Sequence, residues 1–273
     1  MDIVALQKWA YIPGLPDDIG PIRTFLQEYS KIPADDIDHH ILRAREDAWN
    51  LSRYPFIGRW RFLRLAERND PYYQQVLFRL KLNGSTDAFL DLGCCVGQVL
   101  RQLRHDGVQG SQLFGIDVQS RFLDIGYDLF QDRDSIGATF VVGDMVDPED
   151  TRLDVLLGKV TIIYASCFFH LFNWTQQLCL GQRLVGFLKE GTKNALIYGR
   201  HVGTTRSREP ALGNASPPYL HDKNSFQRLW REIGDLTKTN WVVEVEPTGE
   251  VPESVARIDK SARQVIFTVL QIC

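Results

Sequence analysis

The stretch FLDLGCCVGQVLRQL, residues 89–103, decides the fold. It opens with a short apolar run of the kind found in strands covered on both faces. Asp91 stands at the end of that run, a tight turn uses Gly93 and Gly97, and a helix is predicted to begin near Gln98. Glycines in such a turn let backbone approach a ligand closely, and the first N–H groups of the following helix lack partners within it. The pattern is Asp-x-Gly-x-Cys-x-Gly. Cys95 therefore sits where a dinucleotide fingerprint carries the glycine that makes room for a pyrophosphate. Its presence argues against NAD and is harmless for a nucleoside ligand without phosphate.

Outward from this turn the chain alternates short β-rich runs with amphipathic helical stretches, the pattern of a parallel α/β sheet. The predicted strands are 88–92, 112–116, 138–142, 160–164 and 195–198, with helices at 98–105, 120–130 and 174–188. Two further runs, 241–245 and 264–272, alternate apolar with polar residues after a helix at 222–234, and a Pro/Gly-containing loop joins them. They predict a closing hairpin with one strand antiparallel to the rest. Residues 201–221, with Pro210, Pro217 and Pro218, read as one long irregular loop, and loops of that length are often lids. Upstream, residues 1–83 carry apolar positions at helical spacing cut by Pro13-Gly14, Pro33, Pro55 and Asp70-Pro71. We read 1–83 as a helical cap contributing to the substrate pocket and 84–273 as a Rossmann-like nucleotide-binding domain.

Two more acidic residues end successive strands. Asp117 in LFGIDVQSRFL lies about 20 residues past the last loop glycine, the position from which a carboxylate grips ribose hydroxyls. In FVVGDMVDP, Asp144 is placed to accept from an adenine amino group while Met145 packs on the ring. Singly, each is ordinary: a glycine turn serves packing, and a strand-end Asp caps the next helix. Together they mark the carboxyl edge where open α/β sheets bind ligands, and they point to S-adenosylmethionine as cofactor, with S-adenosylhomocysteine as product.

Bulk composition narrows the partners. With Lys+Arg 31, Asp+Glu 34, a net charge of -3 and a pI near 6.1, nothing attracts the chain to a phosphate backbone, so no nucleic-acid partner is expected. No secretory signal or membrane span is read. Five cysteines, at 94, 95, 167, 179 and 273, with no CxxC pair, suit free thiols in the cytoplasm and no metal site.

The strings DLGCCVGQ, FGIDVQSRFLDIGYDLFQDRD and FVVGDMVDP, with YPFIGRWRFL at 54–63, YGRHVG at 198–203 and YLHDKNSFQRLW at 219–230, resemble small fungal class I methyltransferases of secondary metabolism. The resemblance is to those that methylate a carboxylate in meroterpenoid pathways, where farnesylated dimethylorsellinic acid is the substrate. It covers about residues 49–230. It implies a seven-stranded class I methyltransferase sheet, a homodimer, and a methyl ester made on a small, largely apolar acid. Carried over, it makes Asp91 and Gly93 first-motif contacts to the cofactor, Asp117 the ribose ligand, and Asp144 with Met145 the adenine contacts. It also implies Gln more often than His at position 201.

A carboxylic acid is ionised near neutral pH and needs no general base, whereas a phenol near pKa 10 benefits from one. His170, after the fourth predicted strand in IIYASCFFHLF, is the candidate base; the alternative is a capping or core histidine. If it acts, the enzyme methylates a phenol or alcohol. A third reading is a cofactor-binding accessory or cyclase-like protein without methyl transfer. Arg59 is a candidate clamp for the methionyl carboxylate, with Tyr54 packing nearby, against the alternative of a solvated charge among Arg53, Arg61 and Arg64. Arg200 is a candidate for holding an acceptor carboxylate. His201, expected just beyond the fifth strand, is a candidate for lining the acceptor pocket.

Overall fold

The computed structural model describes residues 9–211, 213, 215–251 and 260–272. Seven strands form one sheet in the order β3-β2-β1-β4-β5-β7-β6. They are β1 Phe89–Leu92, β2 Leu113–Asp117, β3 Thr139–Val142, β4 Ile162–Ser166, β5 Leu196–Thr204, β6 Asn240–Glu250 and β7 Ala262–Ile272. β1, β4 and β5 run parallel, while β7 is antiparallel to both β5 and β6. The sheet is that expected from sequence, and its order reverses between β1 and β4, the switch point at which doubly wound sheets hold ligands. The two closing strands are longer than expected, β6 reaching Glu250 and β7 beginning at Ala262, which leaves a shorter loop between them whose residues 252–259 lie outside the described residues.

The helices are α1 Gly20–Glu28, α2 Ala34–Leu51, α3 Pro55–Gly58, α4 Pro71–Lys81, α5 Gln98–His105, α6 Ser120–Phe130, α7 Trp174–Phe187 and α8 Lys223–Thr237. Their ends follow local chemistry. Asp70 caps α4, accepting from the N–H groups of Tyr72 and Tyr73, with Pro71 at the first helical position. Asn173 with Gln176 and Asp222 with Ser225 form capping boxes at the starts of α7 and α8.

The chain divides into two compact units: the described residues up to Thr86 with Cys94–Phe140, and Asp87–Gly93 with Val141 onward. In the first unit the N-terminal helices have no core of their own. Ile22, Phe25 and Leu26 of α1 and Ile37, Ile41 and Ala48 of α2 share one apolar cluster with Cys95, Val96, Ile125, Leu129 and Phe130. Arg45, buried on α2, donates to the carbonyls of Ile12 at 3.0 Å and Pro13 at 3.2 Å and lies over the rings of Tyr11 and Trp60. The α2 face is apolar at i, i+4, i+7 and i+11, and two backbone carbonyls accept from the terminal nitrogens of its buried arginine.

In the second unit α7 and α8 pack together, with Ile233 of α8 set against Gly181 of α7. β5 corrects the expectation from sequence. It runs on to Thr204, because β7 pairs with it through Thr204↔Ala262. His201 is therefore inside the strand, not in a loop beyond it. No helix among the described residues is long and apolar enough to cross a membrane.

Candidate active site

The turn after β1 takes a left-handed backbone at every second residue: Gly93 at φ +70°, Cys95 at +50° and Gly97 at +64°. Cys95 adopts this conformation without being glycine, at a cost of about 1–2 kcal/mol, and its side chain is buried in the cap cluster. Its N–H donates to Asp117 Oδ2 at 2.8 Å, while Gln119 N–H donates to Asp117 Oδ1 at 2.9 Å. A carboxylate has about four lone-pair sites, so these bonds leave it capacity for further donors. That is the requirement of a ribose diol. Burial raises the Asp117 carboxyl above its ordinary pKa, opposed by the N–H groups of Gln119, Cys95 and Val118.

Behind the turn, Arg101 of α5 donates to the carbonyls of Val96 at 2.7 Å and Gly97 at 3.3 Å, and forks onto Asp132 with two bonds of 2.9 Å. This pair, 31 residues apart, holds the turn and was invisible in the sequence. Tyr54 is partly exposed beside Phe56. Arg59 donates to the Trp9 carbonyl at 2.7 Å and lies over the Trp9 ring.

In the second unit, Gly93 lies so close to Phe168 that a Cβ there would sit 2.8 Å from the ring. Asp144 begins the loop after β3. Its N–H donates to Asp150 Oδ2 at 2.7 Å and its Oδ1 accepts from Val146 N–H at 3.0 Å. Arg183 of α7 fastens this loop by donating to the carbonyls of Asp144, Asp147 and Asp150. Met145 is buried. His170 lies in a 3-10 turn, Phe169–Leu171, with its Nδ1 buried and unpartnered, and burial lowers its pKa to about 4.

The pleat separates Arg200 from His201. Successive residues of a strand face opposite ways, so Arg200 is exposed while His201 is 1% exposed. The His201 ring stacks 5.0 Å from Phe267 and lies 5.2 Å from Phe226, with neither nitrogen hydrogen-bonded. Arg200 instead shares a face with Ser166, its register partner, and with Tyr164, two residues before it on β4 and the register partner of Asp91. Among the described residues Arg200 has no carboxylate within ion-pair distance. The sequence reading passed over Tyr164 and Ser166. The signal was present, as two polar residues spaced by two in the otherwise apolar IIYAS.

From the same region, Gln177 of α7 joins the segment before Tyr219 to the turn after β4. Its Nε2 donates to the carbonyls of Phe172 at 2.9 Å and Tyr219 at 3.1 Å, and its Oε1 bonds His221 Nε2 at 2.8 Å. The irregular stretch after β5 is thus tied down near its end.

A reversed-hairpin seven-stranded sheet with a left-handed turn after β1 and an acid at the end of β2 defines a class I S-adenosylmethionine-dependent methyltransferase. The solved structures agree on the fold. Phosphoethanolamine N-methyltransferase 2 of Haemonchus contortus, complexed with S-adenosylhomocysteine, superposes with a TM-score of 0.55 at 13% identity, over 84% of this chain and 60% of that one. Its complex with S-adenosyl-L-methionine gives 0.51 at 14% identity, over 95% and 62%. Family models match as well: a meroterpenoid methyltransferase N-terminal domain over residues 10–63 and a methyltransferase domain over 89–191. Among curated relatives, the O-methyltransferase phiE of Fungal sp. (strain ATCC 74256) is 36% identical, over 84% of this chain and 76% of its own length. The asnovolin E/chermesin D methyltransferase nvfJ of Aspergillus novofumigatus is 35% identical, over 78% and 76%. The chain belongs to this family of fungal S-adenosylmethionine-dependent methyltransferases.

Proposed function

We propose that this methyltransferase is an O-methyltransferase that forms a methyl ester on the carboxylate of a prenylated aromatic acid in fungal secondary metabolism. One observation carries the reading: an exposed arginine without an ion-pair partner among the described residues, Arg200, in β5 beside Ser166, the last residue of β4. A planar guanidinium offers paired donors that match a carboxylate. His170 fits the same reading. Held near pKa 4, it is neutral at pH 7 and too weak a base to draw a proton from a phenol near 10. An ionised acid needs no such help.

S-adenosylmethionine supplies, when bound, an electrophilic methyl group on a sulfonium. Asp91, Gly93, Asp117, Asp144 and Met145 are the residues we assign to holding it, with Tyr54 and Arg59 from the N-terminal region as further contacts. Arg200 would orient the acceptor, and the neighbouring Phe168 and Phe172, 5.0 Å apart, would exclude water. His201, on the opposite face, would act only as support beneath β5. Cytoplasmic location, suggested by the free cysteines, and a homodimer, implied by the family resemblance, belong to the same reading.

The test uses methyl-labelled cofactor and farnesylated dimethylorsellinic acid, which carries ring oxygens as well as a carboxylate. Label is expected on the carboxylate as an ester; label on a ring oxygen alone would reject the assignment. In Arg200→Gln, KM for the acid should rise about 10–100-fold, as for loss of hydrogen bonds to a charged group, with cofactor affinity unchanged. On the donor side, Asp117→Ala should weaken S-adenosylmethionine by about 1.5–3 kcal/mol in calorimetry. An unaltered dissociation constant would take Asp117 out of the site.

A further inference from the structure

The face of β4 that carries Asp91's register partner holds one more group able to bind an acid. Tyr164 sits between Asp91 on β1 and Tyr198 on β5 by register, and its ring lies 6.3 Å from Phe89 and 5.0 Å from Tyr198. It is only partly buried, in contrast to Ile162, Ile163 and Ala165 of the same strand. Two residues further along the same face stands Ser166, paired in register with Arg200. Adjacent strands lie about 4.8 Å apart and a two-residue step advances about 6.6 Å. Tyr164, Ser166 and Arg200 therefore occupy one patch at the carboxyl edge, beside the switch point between β1 and β4.

The Ser166 hydroxyl shares this face with the Tyr164 phenol two residues before it, and the phenol lies in the opposed fields of the Arg200 cation and the Asp91 carboxylate. Burial raises the phenol's pKa above its ordinary value, so it remains a donor at neutral pH. An ionised carboxylate only accepts hydrogen bonds and has about four lone pairs to satisfy. A guanidinium and a phenol O–H directed to one patch supply what it lacks.

We propose that Tyr164 is a second anchor for the acceptor, its phenol O–H donating to the same carboxylate that Arg200 pairs with, on the face of the sheet shared with Asp91. Ser166 is a positioning residue that turns the phenol. This inference rests on the carboxylate reading above and adds a specificity determinant to it: a neutral ester or phenol presents no charged acceptor to Tyr164 and gains little from it.

The test compares binding of farnesylated dimethylorsellinic acid and of its preformed methyl ester to the full-length protein saturated with S-adenosylhomocysteine, by calorimetry. Tyr164→Phe keeps the ring and should weaken the acid about 10–100-fold while leaving the ester within twofold and the cofactor affinity unchanged. Ser166→Ala should lower the acid-to-ester preference a few-fold, and serves in place of Tyr164→Phe if that variant does not fold. Two failures are separable. If Tyr164→Phe and Ser166→Ala both keep wild-type preference while Arg200→Gln loses it, Tyr164 is not an anchor and the carboxylate reading stands. If the wild-type protein binds acid and ester alike and labels only ring oxygens, the carboxylate reading fails and this inference falls with it.

Discussion

Replacing Arg101 with alanine should lower the unfolding free energy by about 3–5 kcal/mol, the cost of leaving a buried charge without its partner. Arg101 and Asp132 are 1% and 3% exposed. Both carboxylate oxygens take a guanidinium N–H at 2.9 Å, and Tyr29 donates its hydroxyl to Oδ2 at 2.7 Å. The guanidinium also lies 4.7 Å from the centre of the Phe130 ring. In Arg101→Ala, Asp132 would keep only Tyr29 in an apolar setting, and the carbonyls of Val96 and Gly97 would lose the donor that fixes them. Urea unfolding measures the first effect. Calorimetry with S-adenosylmethionine measures the second, since the left-handed turn at Gly93, Cys95 and Gly97 is the loop Arg101 supports. A double variant, Arg101→Met with Asp132→Leu, should recover most of the stability and not the cofactor affinity. A loss below about 1 kcal/mol in the single variant would show that the pair contributes little.

Acid should destabilise the protein well before its carboxylates titrate. Three histidines in the second unit are held neutral by burial: His170 near pKa 4, His221 near 3, and His201 well below the ordinary value. Asp222 and Ser225 favour the charged form of His221 but do not overcome its burial. Each histidine has a folded pKa below the unfolded value of about 6.5. Its contribution to stability is therefore complete above pH 6.5 and is lost as pH falls from there through the folded pKa, because the unfolded chain binds the proton first. At pH 5 a histidine still neutral in the fold costs about 2 kcal/mol, whatever its final pKa. His201 and His221, each 1% exposed, together give about 4 kcal/mol on that scale. Melting curves from pH 7.5 to 5 should show a steep fall. His201→Phe removes one of the three and replaces a ring whose nitrogens have no partners among Phe169, Phe226 and Phe267. It should be at least as stable as wild type at pH 7.5 and lose about a third of the pH dependence that the three histidines give. An identical pH profile in the variant would show that His201 is not held neutral.

What each stage could read differs in kind. The helices Gln98–His105 and Ser120–Phe130 were bounded correctly from sequence, because apolar spacing and local end signals mark them. The expected end of the fifth strand at 198 was too early. Residues Gly199–Thr204 are held in the sheet by β7, about 60 residues further on, and no local signal reports that pairing. The consequence reaches the site: once 200 and 201 lie in a strand, the pleat sends them to opposite faces, so they cannot both meet one acceptor. Arg59 met a backbone carbonyl, that of Trp9, which side-chain chemistry alone does not foretell.

Sequence by itself determined the order of strands and helices, the left-handed turn chemistry after β1 and the acids at strand ends, since these depend on neighbours a few residues apart. Tertiary structure alone decided that Arg101 closes on Asp132, that Tyr164, Ser166 and Arg200 share a face, and that His201 is buried on the other. Those facts depend on strand register and on contacts between distant residues. Periodicity places a side chain on its own element but does not say what stands opposite it.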